Sequence, residues 1–339
     1  MIRLLLIISF LGTSLAAQTQ SLGGATVFNF LKVPGTAQLT GLGGINVSQL
    51  GNDIAMGIHQ PAFYNESMQG QYSFNFNSGP GGLKNYTVSG AGYHKRSKTM
   101  IAAGLQFLDY GSITQTNEAG LELGVIRPVD YALQVSASRQ YLSRWRYGVN
   151  LKWIQSNYGI YRSNAVAIDA GLTYTDTLNK WQAGFLLRNM GAQLKVYQGS
   201  SRSSLPFDMQ LGISKRLLNA PLQFSATLHH LHQFNIRYSD STLDGAVEAS
   251  GNFGDKLFRH IVLAAQIFVE ERVELSLGYN YLRRKELNMG SSGNGLNGFS
   301  VGVGVNARKF QLRYARSWVQ QNQSFNQVGI NLQIGKRKS

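Results

Sequence analysis

Apolar and polar residues alternate with period two through much of the chain, and the alternation is cleanest toward the C-terminus. Val328, Ile330, Leu332 and Ile334 are separated by Gly329, Asn331 and Gln333. Phe310, Leu312 and Tyr314 alternate with Gln311, Arg313 and Ala315, and Phe299, Val301, Val303 and Val305 enclose Ser300, Gly302 and Gly304. Val273, Leu275, Leu277 and Tyr279 repeat the pattern, as do Leu222, Phe224, Ala226 and Leu228, and Met209, Leu211 and Ile213. Similar faces recur at Trp181 to Leu187, Val166 to Tyr174, Tyr147 to Trp153 and Tyr131 to Ala137. The earliest lie at Tyr72 to Phe76, Tyr86 to Tyr93 and Met100 to Phe107. Ile261 to Ile267 is apolar on both faces. Side chains of a strand point alternately to opposite faces, so each run presents an apolar face and a small or polar one. The runs predict about fourteen strands, each near the length that a tilted membrane strand needs.

Connection lengths support one architecture over another. Short connections are expected near Lys95 to Lys98, Tyr141 to Arg144, Asp176 to Lys180, Leu217 to Ala220, Val269 to Glu271 and Asn306 to Lys309. Longer ones alternate with them: Asn77 to Lys84, Tyr110 to Arg127, Gln155 to Arg162, Asn189 to Leu205, His232 to Lys256, Arg283 to Asn297 and Arg316 to Ser324. Bacterial barrels sort their connections this way, with short periplasmic turns and long outer loops. A soluble β-sandwich has no reason to. The expected fold is therefore all-β, a transmembrane antiparallel barrel with an N-terminal plug or hatch.

Three segments are expected. Met1-Ile2-Arg3, the apolar run Leu4 to Leu11, and the small residues Ser14, Ala16 and Ala17 have the order of a secretory signal peptide over 1–17. Residues 18–69 show little strand pattern, yet Phe28, Phe30, Leu31, Leu39, Leu42 and Ile45 are more apolar than a loose tail requires. A barrel of this size leaves a lumen, and this segment is expected to plug it. The barrel itself is expected over 70–335.

Composition agrees. Of 339 residues only 14% are charged, 38 are glycine, and Tyr 16 and Phe 17 supply aromatic girdles. With no cysteine, the chain has no disulfides and no lipid-modified cysteine. A net charge of +15 raises nucleic acid as a partner, but an exported chain meets lipid headgroups and lipopolysaccharide instead.

Candidate chemistry is sparse. In an extended strand His229 points away from His230 and His232, and neither a cysteine nor a paired carboxylate stands nearby in sequence, so a metal site is not expected. The glycine-rich runs at Gly79 to Gly82 and Gly290 to Gly298 lack the Lys-Ser/Thr of a phosphate-binding loop, and no Gly-x-Ser-x-Gly elbow occurs. Asp169, Glu274 and Arg313 are expected to face the lumen, where charges pair. No enzyme activity and no cofactor are expected.

The order of several strings carries a resemblance. They are Ser21-Leu22-Gly23-Gly24, Phe28-Asn29-Phe30-Leu31, Gly41-Leu42-Gly43-Gly44 and Leu187-Arg188-Asn189-Met190-Gly191. Further along come Leu205-Pro206-Phe207, Gln210 to Leu217, Leu228-His229-His230-Leu231, Asp255 to His260, Gly278-Tyr279-Asn280-Tyr281 and Tyr314-Ala315-Arg316-Ser317. Over nearly the whole mature chain, this resembles the PorQ-like membrane barrels of the type IX secretion system of Bacteroidetes, themselves similar to FadL-like outer-membrane channels. Related barrels carry Asn-Pro-Ala near the end of the hatch where this chain has Gln60-Pro61-Ala62. It also ends in Lys336-Arg337-Lys338-Ser339, without the terminal aromatic of many outer-membrane proteins.

The resemblance implies an outer-membrane anchor for a PorZ-like surface protein, beside a PorU-like sortase and a PorV-like barrel that join cargo to anionic lipopolysaccharide. Asn189, Arg202, Arg237, Asp240, Asp244, Arg283 and Arg284, in the longest connections, are the expected partner-binding residues. The alternative is a FadL-like channel for hydrophobic small molecules, which would need an apolar surface between plug and wall. A soluble secreted β-protein is a third possibility.

Overall fold

A computed structural model describes residues 26–236, 253–287, 295–320 and 323–334. The expected signal peptide, residues 18–25, and Arg237, Asp240 and Asp244 lie outside the described residues. The strands are β1 (Gln71–Ser78), β2 (Lys84–His94), β3 (Thr99–Asp109), β4 (Ile113–Thr116), β5 (Glu122–Ile126), β6 (Val129–Tyr141), β7 (Trp145–Tyr158) and β8 (Tyr161–Asp176). They continue as β9 (Trp181–Lys195), β10 (Asp208–Arg216), β11 (Leu222–Leu228), β12 (Ile261–Val269), β13 (Val273–Asn280), β14 (Phe299–Asn306), β15 (Phe310–Gln320) and β16 (Gln323–Gln333). All but β4 and β5 close into one barrel of fourteen antiparallel strands, each beside its chain neighbour, with β1 sealing against β16. The strands β4 and β5 form a separate hairpin in the connection from β3 to β6. Closure satisfies every strand edge, which is what a lipid environment demands of a sheet. No helix among the described residues is long and apolar enough to cross a membrane.

Alternation decides which face meets which medium. Phe74, Leu133, Val135, Leu151, Ile213, Leu277, Val303 and Leu332 are exposed on the outer wall. Asn75, Ser136, Asn150, Ser214 and Gln327 from the same strands are buried inside. Aromatic clusters ring both ends. Trp145, Tyr174 and Trp181 pack at 4.9 and 5.1 Å between ring centres at the short-turn end, and Tyr279 with Phe299 at 4.7 Å at the other. A closed barrel with an apolar outer wall and aromatic girdles is a transmembrane barrel of the kind that bacterial outer membranes hold. The strand Ile261–Val269, ambiguous by sequence, turns Val262, Ala264 and Gln266 inward and Leu263 and Ile267 outward.

Two expected long connections are corrected. Strands β7 and β8 run on to Tyr158 and Tyr161, leaving a two-residue turn at Gly159-Ile160 instead of a loop from Gln155 to Arg162. Likewise β15 extends to Gln320 and β16 starts at Gln323, replacing the loop expected over Arg316 to Ser324. Polar residues beyond the bilayer still pair as strands, because ladder hydrogen bonds do not need an apolar face.

Residues 26–70 lie inside the barrel as short helical turns: 3-10 turns at Asn29–Lys32, Ile54–Ile58, Pro61–Phe63 and Glu66–Met68, and helix α1 (Ala37–Gly41). The helix α1 packs on β13 to β16, the turn at Pro61–Phe63 on β6 to β8, and the turn at Ile54–Ile58 on β1 and β2. Glycines on the inner wall make this approach possible. A Cβ on Gly184 would sit 1.7 Å from the Val47 carbonyl oxygen, and one on Gly278 would sit 2.2 Å from the Gly43 nitrogen. Only a bare backbone fits at those points.

Candidate functional site: the plugged lumen and its outer mouth

The plug meets the wall through two kinds of contact. Toward the long-loop mouth, Phe28, Phe30 and Leu31 are buried against Leu108 of β3, Ala132 of β6, Ile154 of β7, Ala165 and Ala167 of β8, and Leu205. These wall residues form an apolar patch at the mouth; a second, of Ala91, Met100 and Ala102, meets Ile54, Tyr64 and Met68 of the plug. Phe28 holds a left-handed backbone (φ 59°) to bring its ring there, a conformation that costs a non-glycine residue on the order of 1–2 kcal/mol.

Against β13 to β16 the contact is polar. The Arg313 guanidinium lies between two carboxylates, 3.4 Å from Asp53 Oδ2 of the plug and 3.5 Å from Glu274 Oε2 of the wall. Gln38 of α1 accepts from Arg313 Nε and donates to Glu274 Oε1 at 2.6 Å. Asn331 donates to Asp53 Oδ1 at 2.6 Å, and the Thr40 hydroxyl donates to Gln327 Oε1 at 2.5 Å. Glu274 and Arg313 thus face the lumen and pair there, Arg313 drawing in a plug carboxylate as well.

A second buried charge site stands on β7 to β9. Lys152 Nζ lies 2.6 Å from Asp169 Oδ2, and both side chains are almost wholly buried. The register of β8 and β9 slips between Ile168 and Ala170, so that Arg188 and Asn189 both oppose Asp169. Asn189 takes φ 56° in this bulge, and its N–H donates to Asp169 Oδ1 at 2.8 Å. Its side chain accepts from Lys152 and donates to the Pro206 carbonyl. Arg188 reaches the plug, donating to the Leu31 carbonyl at 2.6 Å. Asn189, expected in an outer loop, is therefore a correction: it is buried in strand β9, pinned by the bulge.

The other expected partner-binding residues separate. Arg202 is exposed in the connection between β9 and β10. Arg283 and Arg284 lie on helix α2 (Tyr281–Glu286), after β13. The Arg283 guanidinium reaches inward against plug residue Gly44, and Arg284 packs against Gly298. Only Arg202 among the described four thus offers an exposed outer surface. Gln60, at the place of the Asn in related barrels, donates to the Phe185 carbonyl at 3.1 Å and ties the hatch to β9.

At the long-loop mouth the histidines come together. Strand β11 ends at Leu228, and His230 adopts φ 54°. This breaks the alternation that would separate His229 from His230, and leaves their Nδ1 atoms 2.5 Å apart. Asp208, at the start of neighbouring β10, accepts from the His230 N–H at 2.6 Å and from Gln210 Nε2 at 2.6 Å. Burial lowers the His229 imidazole to about 3, with the neighbouring His230 adding to the shift, and burial also lowers His230 against the pull of Asp208. Both rings are neutral near pH 7. The nitrogens of His260 face the carbonyls of His229 and Phe234, at 2.7 and 3.0 Å.

Little room remains where plug meets wall beside Arg188. The space among Leu39, Gly44, Asn46, His59 and Arg188 is about 10 Å³, enough for one water at most. A hollow of about 890 Å³ lies on the outer wall instead, where Gly90, Gly92 and Ala103 thin the surface between Tyr72 and Leu133. The pairing of β2 with β3 and of β3 with β6 is unbroken there, so the wall stays closed.

No protein-family description matches this chain, and neither does any curated protein sequence. Solved structures do match. The toluene transporter TodX of Pseudomonas putida aligns with 87% of this chain and 96% of its own, at 12% identity and a TM-score of 0.50. A FadL homologue of Pseudomonas aeruginosa aligns with 88% of this chain and 98% of its own, at 10% identity and a TM-score of 0.48. The barrel thus shares its fold with TodX. At this identity the likeness concerns architecture alone.

Proposed function

We propose that this chain is an outer-membrane channel for hydrophobic small molecules, gated by its N-terminal plug. The observation that carries the reading is the apolar patch at the long-loop mouth, where Leu108, Ile154, Ala165 and Leu205 face inward and Phe28, Phe30 and Leu31 occupy them. An inward-facing apolar patch at the mouth serves only where something apolar rests on it. In the resting state the plug's own phenylalanines do, and a hydrophobic solute would displace them. The shared fold with a toluene transporter supports the reading.

The test is uptake into vesicles. The barrel reconstituted in liposomes is expected to speed entry of a monoaromatic hydrocarbon or a fluorescent fatty acid above protein-free vesicles. Phe30→Ala is expected to speed it further. If neither protein exceeds the protein-free rate, the channel reading is abandoned.

A second reading keeps the barrel closed and makes it a foothold in a Bacteroidetes-type outer membrane for a PorZ-like surface protein, with PorU-like and PorV-like neighbours. The narrow space beside Arg188 and the several buried polar ties of the plug favour it. Affinity capture from outer membranes would recover the surface protein under this reading. Deleting the exposed segment around Arg202 would weaken that recovery.

A further inference from the structure

Sequence alternation sets His229 and His230 on opposite faces, and the left-handed turn at His230 undoes that separation. One ligand atom from each of Asp208, His229 and His230 lies within 4.8 Å of the others, at the long-loop mouth. We propose that these three side chains bind an imidazole-preferring divalent cation, of which Zn²⁺ is the type, and that the ion ties the start of β10 to the end of β11.

Three observations support the site. The two Nδ1 atoms stand 2.5 Å apart, and one proton between them is all that this pair can share. Asp208 is held by its neighbours rather than free to turn: the His230 N–H fixes one oxygen and Gln210 the other. Such bonds are how a ligating carboxylate is oriented. Finally, His230 keeps about a quarter of its side chain exposed (27%), which gives an ion a route in from the outer face.

The donor set chooses the metal class. Two imidazoles and one carboxylate suit zinc and its first-row neighbours, whereas calcium and magnesium require oxygen ligands throughout. Three protein ligands leave one tetrahedral position for water or for a donor from outside. Zinc–ligand bonds of about 2.0–2.1 Å place ligand atoms roughly 3.3 Å apart. The two Nδ1 atoms must therefore part by about 0.8 Å, and the 3.9 Å between His230 Nδ1 and Asp208 Oδ1 must shorten by about half an ångström. Both are small side-chain rotations. His260 stays outside the set, since carbonyls already face both of its nitrogens.

The site is tested by calorimetric titration of Zn²⁺ into the full-length barrel, folded in detergent and carrying no polyhistidine tag. One equivalent is expected to bind at micromolar concentration or tighter. His229→Gln, His230→Gln and Asp208→Asn are each expected to weaken binding at least tenfold, and Gln210→Leu by about tenfold through the loosened carboxylate. His94→Gln, at the opposite end of the barrel, is expected to change nothing. Heat-modifiable gel mobility confirms that each variant is folded. Should Asp208→Asn fail to fold, the partly exposed His230→Gln decides the question. The proposal is overturned by a folded wild-type barrel with no saturable Zn²⁺ binding, by binding that His230→Gln leaves unchanged, or by equal competition from Ca²⁺.

Discussion

The plug is held by two contrasting grips. On β3 and β6 to β8 it rests phenylalanines and a leucine on an apolar patch. On β13 to β16 it is tied by Arg313, Asp53, Glu274, Gln38, Asn331, Thr40 and Gln327. The apolar grip is non-directional and tolerates sliding. The polar grip admits one arrangement, because each displaced donor or acceptor would be left buried without a partner. The contrast suggests a division of labour: β13 to β16 hold the plug's register, and the mouth patch is where it lets go.

The largest effect is expected where the polar grip carries charge. Arg313→Ala strands Asp53 and Glu274 inside the lumen without a cation, and removing one partner of a buried ionic set costs about 3–5 kcal/mol. The urea midpoint of the detergent-folded barrel should fall accordingly, and single-channel recordings should show a conducting lumen. Replacing all three together, by Arg313→Leu, Asp53→Asn and Glu274→Gln, should restore much of the loss. If Arg313→Ala were neutral, the polar grip would not be what seats the plug.

Phe30→Ala strikes the other grip. Truncating a buried phenylalanine costs about 3 kcal/mol, less where the site collapses. Stability should fall while ion current stays low, since the polar ties remain. A variant that conducts ions as freely as Arg313→Ala would erase the distinction between the grips. Between the two lies Gly184→Ala, whose new Cβ meets the Val47 carbonyl and whose cost should be about 1–3 kcal/mol by overpacking. The same substitution at Gly92, where a Cβ meets nothing, should leave stability unchanged.

Much of this molecule is legible from its sequence because a membrane wall imposes a simple rule. Every strand must show lipid an apolar side chain at each second position, and Val301, Val303 and Val305 obey it. The turns at Lys95 to Lys98 and Asn306 to Lys309 fall where the alternation lapses. The site was less legible, for a physical reason. Its decisive features are non-glycine residues with positive φ: Phe28, Asn189 and His230. Asn and His take that conformation more readily than most residues, but most Asn and His residues do not adopt it. Asn189 is held in it by Asp169 and Lys152 across two strand neighbours, and His230 by Asp208 from β10. Such partners become visible only once the strands are paired. Alternation and connection lengths led to the right fold, but the reading of long outer loops gave no sign that Asn189 is buried in a strand or that Arg283 turns toward the plug.

The smallest effect separates the hydrogen bonds of the polar grip from its charges. The Thr40 hydroxyl donates to Gln327 Oε1, and Gln327 Nε2 has no other partner. Thr40→Val keeps the shape and removes the donor, leaving the whole Gln327 amide buried and unsatisfied, at a cost of about 1–2 kcal/mol. Gln327→Leu alone leaves the hydroxyl unpaired at a similar cost. Combining the two removes both halves of the bond, and a pair replaced by apolar groups of similar shape is nearly neutral. The double variant should therefore unfold closer to wild type than either single variant, a coupling of about 1 kcal/mol or more in urea titrations. Additive losses instead would mean that the two side chains do not meet. The helix α1 would then be tied to the wall through Ala37, Gln38 and Gly41 and not through Thr40.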